Sequence, residues 1–300
     1  MFLYRKPQNF NSKFAEFKPI IEENRALIKK GNIDEVILRH FESTQGYRFD
    51  LNDPNSFNEK LAARKKQNNP LFAKCADKLA VRDYVKERIG EEHLIPIYYS
   101  GRHLTRKAWD KLPQQFVAKT NNGSGTVDII RQKDQIKYED LYNELEDWLS
   151  VHFGYIDGEM WYEKIPPRVL IEALITDENG DVPKDYKIHC FKNGGDKKKI
   201  LQIDYDRFSN HTRGVYDESF KKLDVEIGFK KNEDDDEKPE NFNELLSVAD
   251  ELSKDFDYVR VDLYDLNGKI YFGELTFCHG GGGEIITPRE YDTFLGSYWK

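Results

Sequence analysis

Cysteine is scarce in this chain, with three in 300 residues, at positions 75, 190 and 278. An odd number so widely spaced argues against a disulfide framework or a zinc site and suits a reducing compartment. No apolar run approaches the roughly 20 residues that span a bilayer. The opening MFLYRKPQNFNSKF lacks the apolar core of a signal peptide, so the expected location is cytoplasmic. Positive charge is not in excess: 46 Lys and Arg stand against 54 Asp and Glu, a net charge of −8, which argues against a nucleic-acid partner. There is no GxxxxGK[ST] stretch and hence no Walker loop. The acidic run 233–237 reads as a solvated loop. What remains is a folded composition, 38% hydrophobic with 19 Phe and 17 Tyr, long enough for one large or two to three small subdomains.

The stretch richest in chemistry is 258–283, YVRVDLYDLNGKIYFGELTFCHGGGG. Val259, Val261 and Leu263 alternate with Arg260, Asp262 and Tyr264, and Asn267-Gly268 marks a hairpin turn. Ile270, Phe272 and Leu275 belong to the returning strand. Asp262 and Glu274 then come close together near one end. Two carboxylates that close invite a cation, and hard oxygen ligands without Cys or His suggest Mg2+. Arg260, on the same face, suits a transferring phosphoryl group. An ordinary hairpin with solvated acids is the alternative. The glycines 280–283 would let backbone approach a ligand closely.

A second stretch is QFVAKTNNGSGTVDIIR: strand 116–119, a loop 121–126 with glycines and hydroxyls, and strand 127–130. Such a loop can fold its N–H groups over phosphates with Lys119 as a point charge, or it can be a plain turn. Residues 168–175 form an apolar strand interrupted by Glu172, which needs either a partner or a task over a base. On the strand 185–191, Asp185, Lys187 and His189 share the polar face, and His189 is either a base or structural.

The remainder reads as supporting structure. Residues 1–45 are helical. A helix starts near Phe57, capped by Asn55 or Ser56, and ends at Asn68-Asn69-Pro70. Arg64-Lys65-Lys66 is either a solvated face or a contact for an anionic substrate or membrane surface. Asp77 caps a helix running to about Arg88. A short strand covers 94–99, and helices cover 105–112, 136–150 and 242–256. The polar, aromatic segment 204–213 suits a substrate. Thr287 caps a last helix with Pro288 at its first position.

The pieces LNDPNSFNEKL, ADKLAVRDYV, VAKTNNGSG, DYKIHCF, VRVDLYD and GELTF, in this order, resemble the TupA-like ATP-grasp family of bacterial polysaccharide gene clusters. The resemblance implies an α+β ATP-grasp fold with an N-terminal helical extension (1–75), a central subdomain with the glycine-rich loop (76–170) and a C-terminal subdomain with the metal site (171–300). ATP and Mg2+ are the implied cofactors. Lys78 and Lys119 match the ATP-phosphate lysines, and Gly123, Ser124 and Gly125 the loop over the phosphates. Glu172, Ala173 and Leu174 match the adenine site and Asp185 the ribose-binding acid. Lys187 and Arg260 lie beside the reacting phosphoryl, and Asp262 and Glu274 match the magnesium ligands. One departure is Thr276, where many ATP-grasp ligases carry a metal-binding Asn.

The implied activity is a carboxylate–amine ligase working through an acyl phosphate, with a uronic acid of a surface polysaccharide as acceptor and an amino acid or amino alcohol as amine. A sugar kinase or glycosyltransferase, and a non-catalytic nucleotide-binding protein, are the alternatives.

Overall fold

The computed structural model describes residues 14–205, 211–234 and 237–300. Expectations for residues 1–13, for part of segment 204–213 and for Asp235 and Asp236 in the acidic run lie outside these.

Two sheets, antiparallel but for one pair, organise the chain. The first joins β1 (Ile97–Gly101), β2 (Phe116–Thr120), β3 (Val127–Ile130) and β4 (Val169–Glu172) in the order β1-β4-β2-β3. Its apolar face packs on α6 (Arg106–Lys111) and α7 (Tyr138–Leu149), burying Phe116, Ala118 and Ile171 against Leu104, Leu141 and Leu145. α7 is amphipathic, with Leu141, Leu145 and Trp148 on one stripe.

The second sheet is built from β5 (Asp185–Asn193), β6 (Asp196–Tyr205), β7 (Thr212–Tyr216), β9 (Lys230–Lys231), β10 (Tyr258–Leu266) and β11 (Lys269–Thr276), in the order β11-β10-β5-β6-β7-β9. The β7–β9 pair is parallel. β8 (Glu226–Ile227) pairs separately with β12 (Ile286–Thr287). One face of the large sheet is apolar (Ile188, Cys190, Val259, Val261) and joins α4 (Pro70–Ala76), α5 (Val81–Ile89) and α9 (Phe242–Ser253) in one core. The opposite face carries ionic and polar side chains, and that division follows from the period of two along each strand.

The β10–β11 hairpin turns at Asn267 and Gly268, both with positive φ (52° and 84°), as its Asn-Gly pair predicts. The register slips after Asp262, which pairs with Glu274 while Leu263 pairs with Phe272. Gly273 is therefore the extra residue of a bulge. The slip explains why Ile270 and Phe272 alternate correctly but the next buried residue is Leu275.

Several boundaries differ from expectation. Of the two expected caps, Asn55 and Ser56, it is Ser56 that caps α3 (Phe57–Arg64), in a full capping box with Glu59. Pro70 opens α4 behind the cap of Asn69 instead of merely closing α3, because Pro is tolerated in a first turn. Asp77 follows α4 and binds Leu79 N at 2.8 Å, and α5 begins only at Val81. The 168–175 strand shortens to β4. Thr287 lies in β12, and the last helix, α10 (Glu290–Ser297), starts beyond Pro288. The helical N-terminal segment appears as α1 (Lys18–Lys29) and α2 (Ile33–Gln45).

The basic cluster is the largest correction. Arg64 and Lys65 have no exposed side-chain surface. Arg64 binds Asp257 and the Tyr258 carbonyl among the rings of Phe72, Tyr258 and Trp299. Lys65 donates to Asp157 Oδ2 at 3.1 Å and to the Gly281 carbonyl at 2.8 Å. Only Lys66 faces outward, on Asp34 at 2.9 Å. The run is neither a solvated face nor a membrane contact. Consecutive residues at a helix end point in different directions, and two of these point inward.

The glycine run also serves packing. Gly280, Gly281 and Gly282 have positive φ, and a Cβ on Gly281 would lie 2.4 Å from Asp157 Oδ2. At Gly281 the close approach is to Asp157 of α8 (Gly154–Asp157).

Candidate functional site

β4 ends at Glu172, opposite Val117 of β2 and Ile97 of β1. A carboxylate that ends a buried strand needs cations, and it has two. Lys119 Nζ lies 2.5 Å from Oε2, and Arg82 Nη1 lies 3.5 Å from Oε1. Arg82 comes from α5 and is braced by the Ile95 carbonyl at 2.9 Å. It was not foreseen; the available signal was Glu172 itself, too buried for one partner. These three side chains line a cavity between the sheets. Lys78, Val117, Ile129, Ala173 and Leu174 flank it, and Tyr264, Phe272 and Gly273 of the hairpin face it. Apolar walls with cations at one end suit a flat base continuing into phosphates.

The glycine-rich loop connects β2 and β3. Its neck is closed by Thr120 Oγ1 donating to Thr126 Oγ1 at 2.9 Å. Asn121, fully buried, staples it: Nδ2 donates to Asp77 Oδ1 at 2.8 Å, and Oδ1 accepts from Arg168 N at 2.7 Å. Lys78 Nζ donates to the Gly123 carbonyl, and burial pulls the Lys78 ammonium below its usual range. Gly123 is buried, while Ser124 and Gly125 stand exposed at the tip. Asn121 and its partners are structural members of this site that the loop's composition did not single out.

The polar face of the large sheet adjoins the cavity through Gly273 and Tyr264. Asp262 sits opposite Glu274 on β11 and opposite Lys187 on β5. Arg260 grips Asp262 with Nε to Oδ1 and Nη2 to Oδ2, both 2.7 Å. Lys187 Nζ reaches Oδ2 at 2.9 Å and also bonds Asp185. Burial alone would raise the Asp262 carboxyl, but Arg260 and Lys187 hold it well below the carboxylate range. Against its own burial, Arg260 is held above its ordinary value by Asp262. Thr276 Oγ1 accepts from Arg260 Nη2 at 3.1 Å, so this hydroxyl orients the arginine.

The structure thus gathers Lys187, Arg260, Asp262, Glu274 and Asp185 on one face. It sets Lys78, Lys119, Glu172, Ala173 and Leu174 in the adjoining cavity, with Gly123, Ser124 and Gly125 above Lys78. His189 stands apart from a base's role. Its Nδ1 meets Tyr258 Oη at 3.0 Å and its Nε2 meets Gln202 Oε1 at 3.2 Å. Burial, with His279 and Arg260 nearby, keeps it neutral.

Among the described residues no group of three or more His, Cys, Asp or Glu converges to hold a metal. Asp262 and Glu274, paired across the hairpin, offer two carboxylates. Mg2+ suits such a set, since it commonly completes its shell with water and phosphate oxygens. Two cations already use Asp262, but a carboxylate has about four lone-pair sites and can share them. Among the described residues no helix is long and apolar enough to cross a membrane.

Residues 59–300 match the family described as TupA-like ATPgrasp. No curated protein matches the chain. Among solved structures, it is similar to D-alanine–D-alanine ligase from Bacillus anthracis at 19% identity and TM-score 0.39, over 68% of this chain and 57% of that one. The same ligase from Helicobacter pylori aligns at 15% identity and TM-score 0.43, over 75% and 61%. Phosphoribosylamine–glycine ligase from Thermotoga maritima aligns at 13% identity and TM-score 0.40, over 68% and 48%. The chain therefore spans about half to three-fifths of the length of these structures.

Proposed function

The chain belongs to the TupA-like ATP-grasp family, which uses ATP with Mg2+, and we propose that it is a carboxylate–amine ligase. The observation that carries this reading is the Lys187–Asp262–Arg260 cluster, with Glu274 opposite, at the edge of a cavity lined by Lys78, Lys119 and Glu172.

In this reading the base lies between the sheets against Glu172, Ala173 and Leu174, with Asp185 toward the ribose. Lys119 leaves Glu172 for a phosphate, which frees carboxylate oxygen for an exocyclic amino group. Lys78 holds a second phosphate. Asp262 and Glu274 would hold Mg2+, which when bound neutralises phosphate charge. Arg260 and Lys187 stabilise the phosphoryl group in flight, a task of positioning and electrostatics. A substrate carboxylate oxygen attacks the γ-phosphorus, and ADP leaves. The amine nitrogen then attacks the acyl carbon, and the C–O bond to phosphate breaks. The glycine-rich loop keeps water from the acyl phosphate. The family's sequence resemblance supports a uronic acid of a bacterial surface polysaccharide as the carboxylate, and an amino acid or amino alcohol as the amine.

The test is phosphate release from MgATP against a panel of uronic-acid sugars and amines, with Glu274→Gln as control. Release that requires both a carboxylate and an amine, and that the substitution abolishes, supports the ligase. Phosphorylation of a sugar without a carboxylate would replace it with a kinase. Nucleotide binding without turnover across the panel, together with full function of the Glu274→Gln protein in cells, would make the chain a binding protein.

A further inference from the structure

The family match begins at residue 59, so α1 and α2 lie outside it. Yet the helical segment reaches the glycine-rich loop through one side chain, Phe153. A Cβ built on Gly123 would lie 2.2 to 2.6 Å from three atoms of the Phe153 ring. The φ of Gly123 is not in the left-handed region, so glycine is needed at this position for space and not for conformation. The ring therefore presses directly on the loop backbone, beside the carbonyl that Lys78 holds.

Phe153 is itself backed from the N-terminal side. Phe14 meets it edge-on at 5.3 Å between ring centres, and both rings are buried. Asn24 is the one buried residue of α1. Its Nδ2 donates to the carbonyls of Tyr155 and Ile156 in α8 at 2.9 and 3.0 Å. A buried amide on an otherwise amphipathic surface helix is costly unless it fixes something. Here it fixes the turn that begins with Phe153. Glu163 ties the same turn from the other side, accepting from Gly154 N at 3.0 Å.

We infer that the segment 14–45 belongs to the nucleotide-binding apparatus: through Asn24 and Phe14 it holds Phe153 against Gly123, and so sets the glycine-rich loop in its phosphate-covering position. The inference rests on the reading of that loop as a phosphate cover. Phe153, Asn24 and Phe14 are positioning residues; none touches the reacting atoms. Loosening the clamp lowers the fraction of loop in the competent position, and apparent affinity falls in proportion to that fraction.

The experiment pairs two readouts on the full chain. Hydrogen exchange at the amides of 121–126, without nucleotide, reads the clamp, and MgATP titration reads its consequence. Asn24→Ala and Phe14→Ala, which act on Phe153 and its turn, are expected to speed exchange within the loop and to weaken MgATP binding by about tenfold, one decade of loop population. Exchange in β5, β6 and β10 stays as in the wild type, which general destabilisation would not allow. Gly123→Ala is expected to weaken MgATP binding in the native background and to do so much less beside Phe153→Ala, where the clash is relieved.

Loop exchange and MgATP affinity both within about twofold of the wild type in Asn24→Ala and Phe14→Ala, a change of less than ~0.5 kcal/mol, would overturn the inference. Failure of the wild type to bind MgATP would overturn the phosphate-cover reading, while faster loop exchange in Asn24→Ala would still support the clamp.

Discussion

Lys187 and Asp262 face each other on β5 and β10, and the ammonium reaches Oδ2 at 2.9 Å. With Arg260 on the same carboxylate, one buried anion serves two cations, Lys187 buried and Arg260 largely so. The cluster is thus a structural tie as well as, in the proposed reaction, a set of charges for phosphoryl chemistry, and the two carboxylates of the hairpin differ in consequence.

Asp262→Asn is expected to cost stability, by roughly 3–5 kcal/mol, because it leaves the largely buried Arg260 without its carboxylate and Lys187 with Asp185 alone. Glu274 is only half-buried, and Glu274→Gln is expected to leave the melting temperature within a few degrees while ATP turnover falls on the order of 100-fold. Thermal melting and phosphate release on the same samples separate the two.

Arg82→Met removes one of the two cations on Glu172. At 3.5 Å and partly exposed, the pair is modest, so ATP affinity is expected to drop by roughly threefold to tenfold. Lys119→Met, which removes the 2.5 Å partner, is expected to cost more. Nucleotide titrations of both variants give the order, and equal losses would count against the assigned division of labour.

Arg64→Met removes the donor to the Tyr258 carbonyl and one donor to Asp257, which is 42% exposed and keeps Trp299 Nε1 at 3.0 Å, so the expected loss is about 1–3 kcal/mol, for the buried carbonyl left unsatisfied. Lys66→Glu, two residues on at the surface, is expected to stay within about 1 kcal/mol of the native protein. Denaturant midpoints test both, and a lipid-vesicle assay is expected to find no dependence on Lys66.

His40 supplies a pH signature. Burial, and then the charge of Lys65, push its pKa down to about 4 from 6.5. Between those values the unfolded chain binds the proton more readily than the native one. Stability from this group is therefore complete above about pH 6.5 and declines as pH falls toward 4, by up to roughly 3 kcal/mol. In His40→Gln the slope of stability against pH over that window is expected to flatten; an unchanged slope would mean that His40 is hydrated in the native state.

The hairpin was readable because its information is local. Alternation over Val259, Val261 and Leu263, and the pair Asn267-Gly268, state strand, turn and face in consecutive residues. Even the bulge left a trace, in the broken spacing of Ile270, Phe272 and Leu275. Asn55 and Ser56 likewise marked the start of α3, and the structure made Ser56 the cap. By contrast, Arg64-Lys65-Lys66 was read as surface because charge runs usually are. Nothing nearby in sequence reveals Asp257, Asp157 or Trp299, which make burial of Arg64 and Lys65 tolerable.

From the residues alone came the strand and helix periods and the residue types that suit phosphate and magnesium; the family, and with it the α+β ATP-grasp fold and ATP, came from six motifs in order. Tertiary structure alone decided which charges meet. The second cation on Glu172 comes from a helix 90 residues earlier. Asp262 gains Lys187 from a strand 75 residues away, and Gly123 is pressed by a ring held from the N-terminal helix. Local sequence specifies backbone conformation through short-range sterics and hydrogen bonding. Pairing of buried charges and close approach depend on distances between elements, which exist only once the sheets and helices have packed.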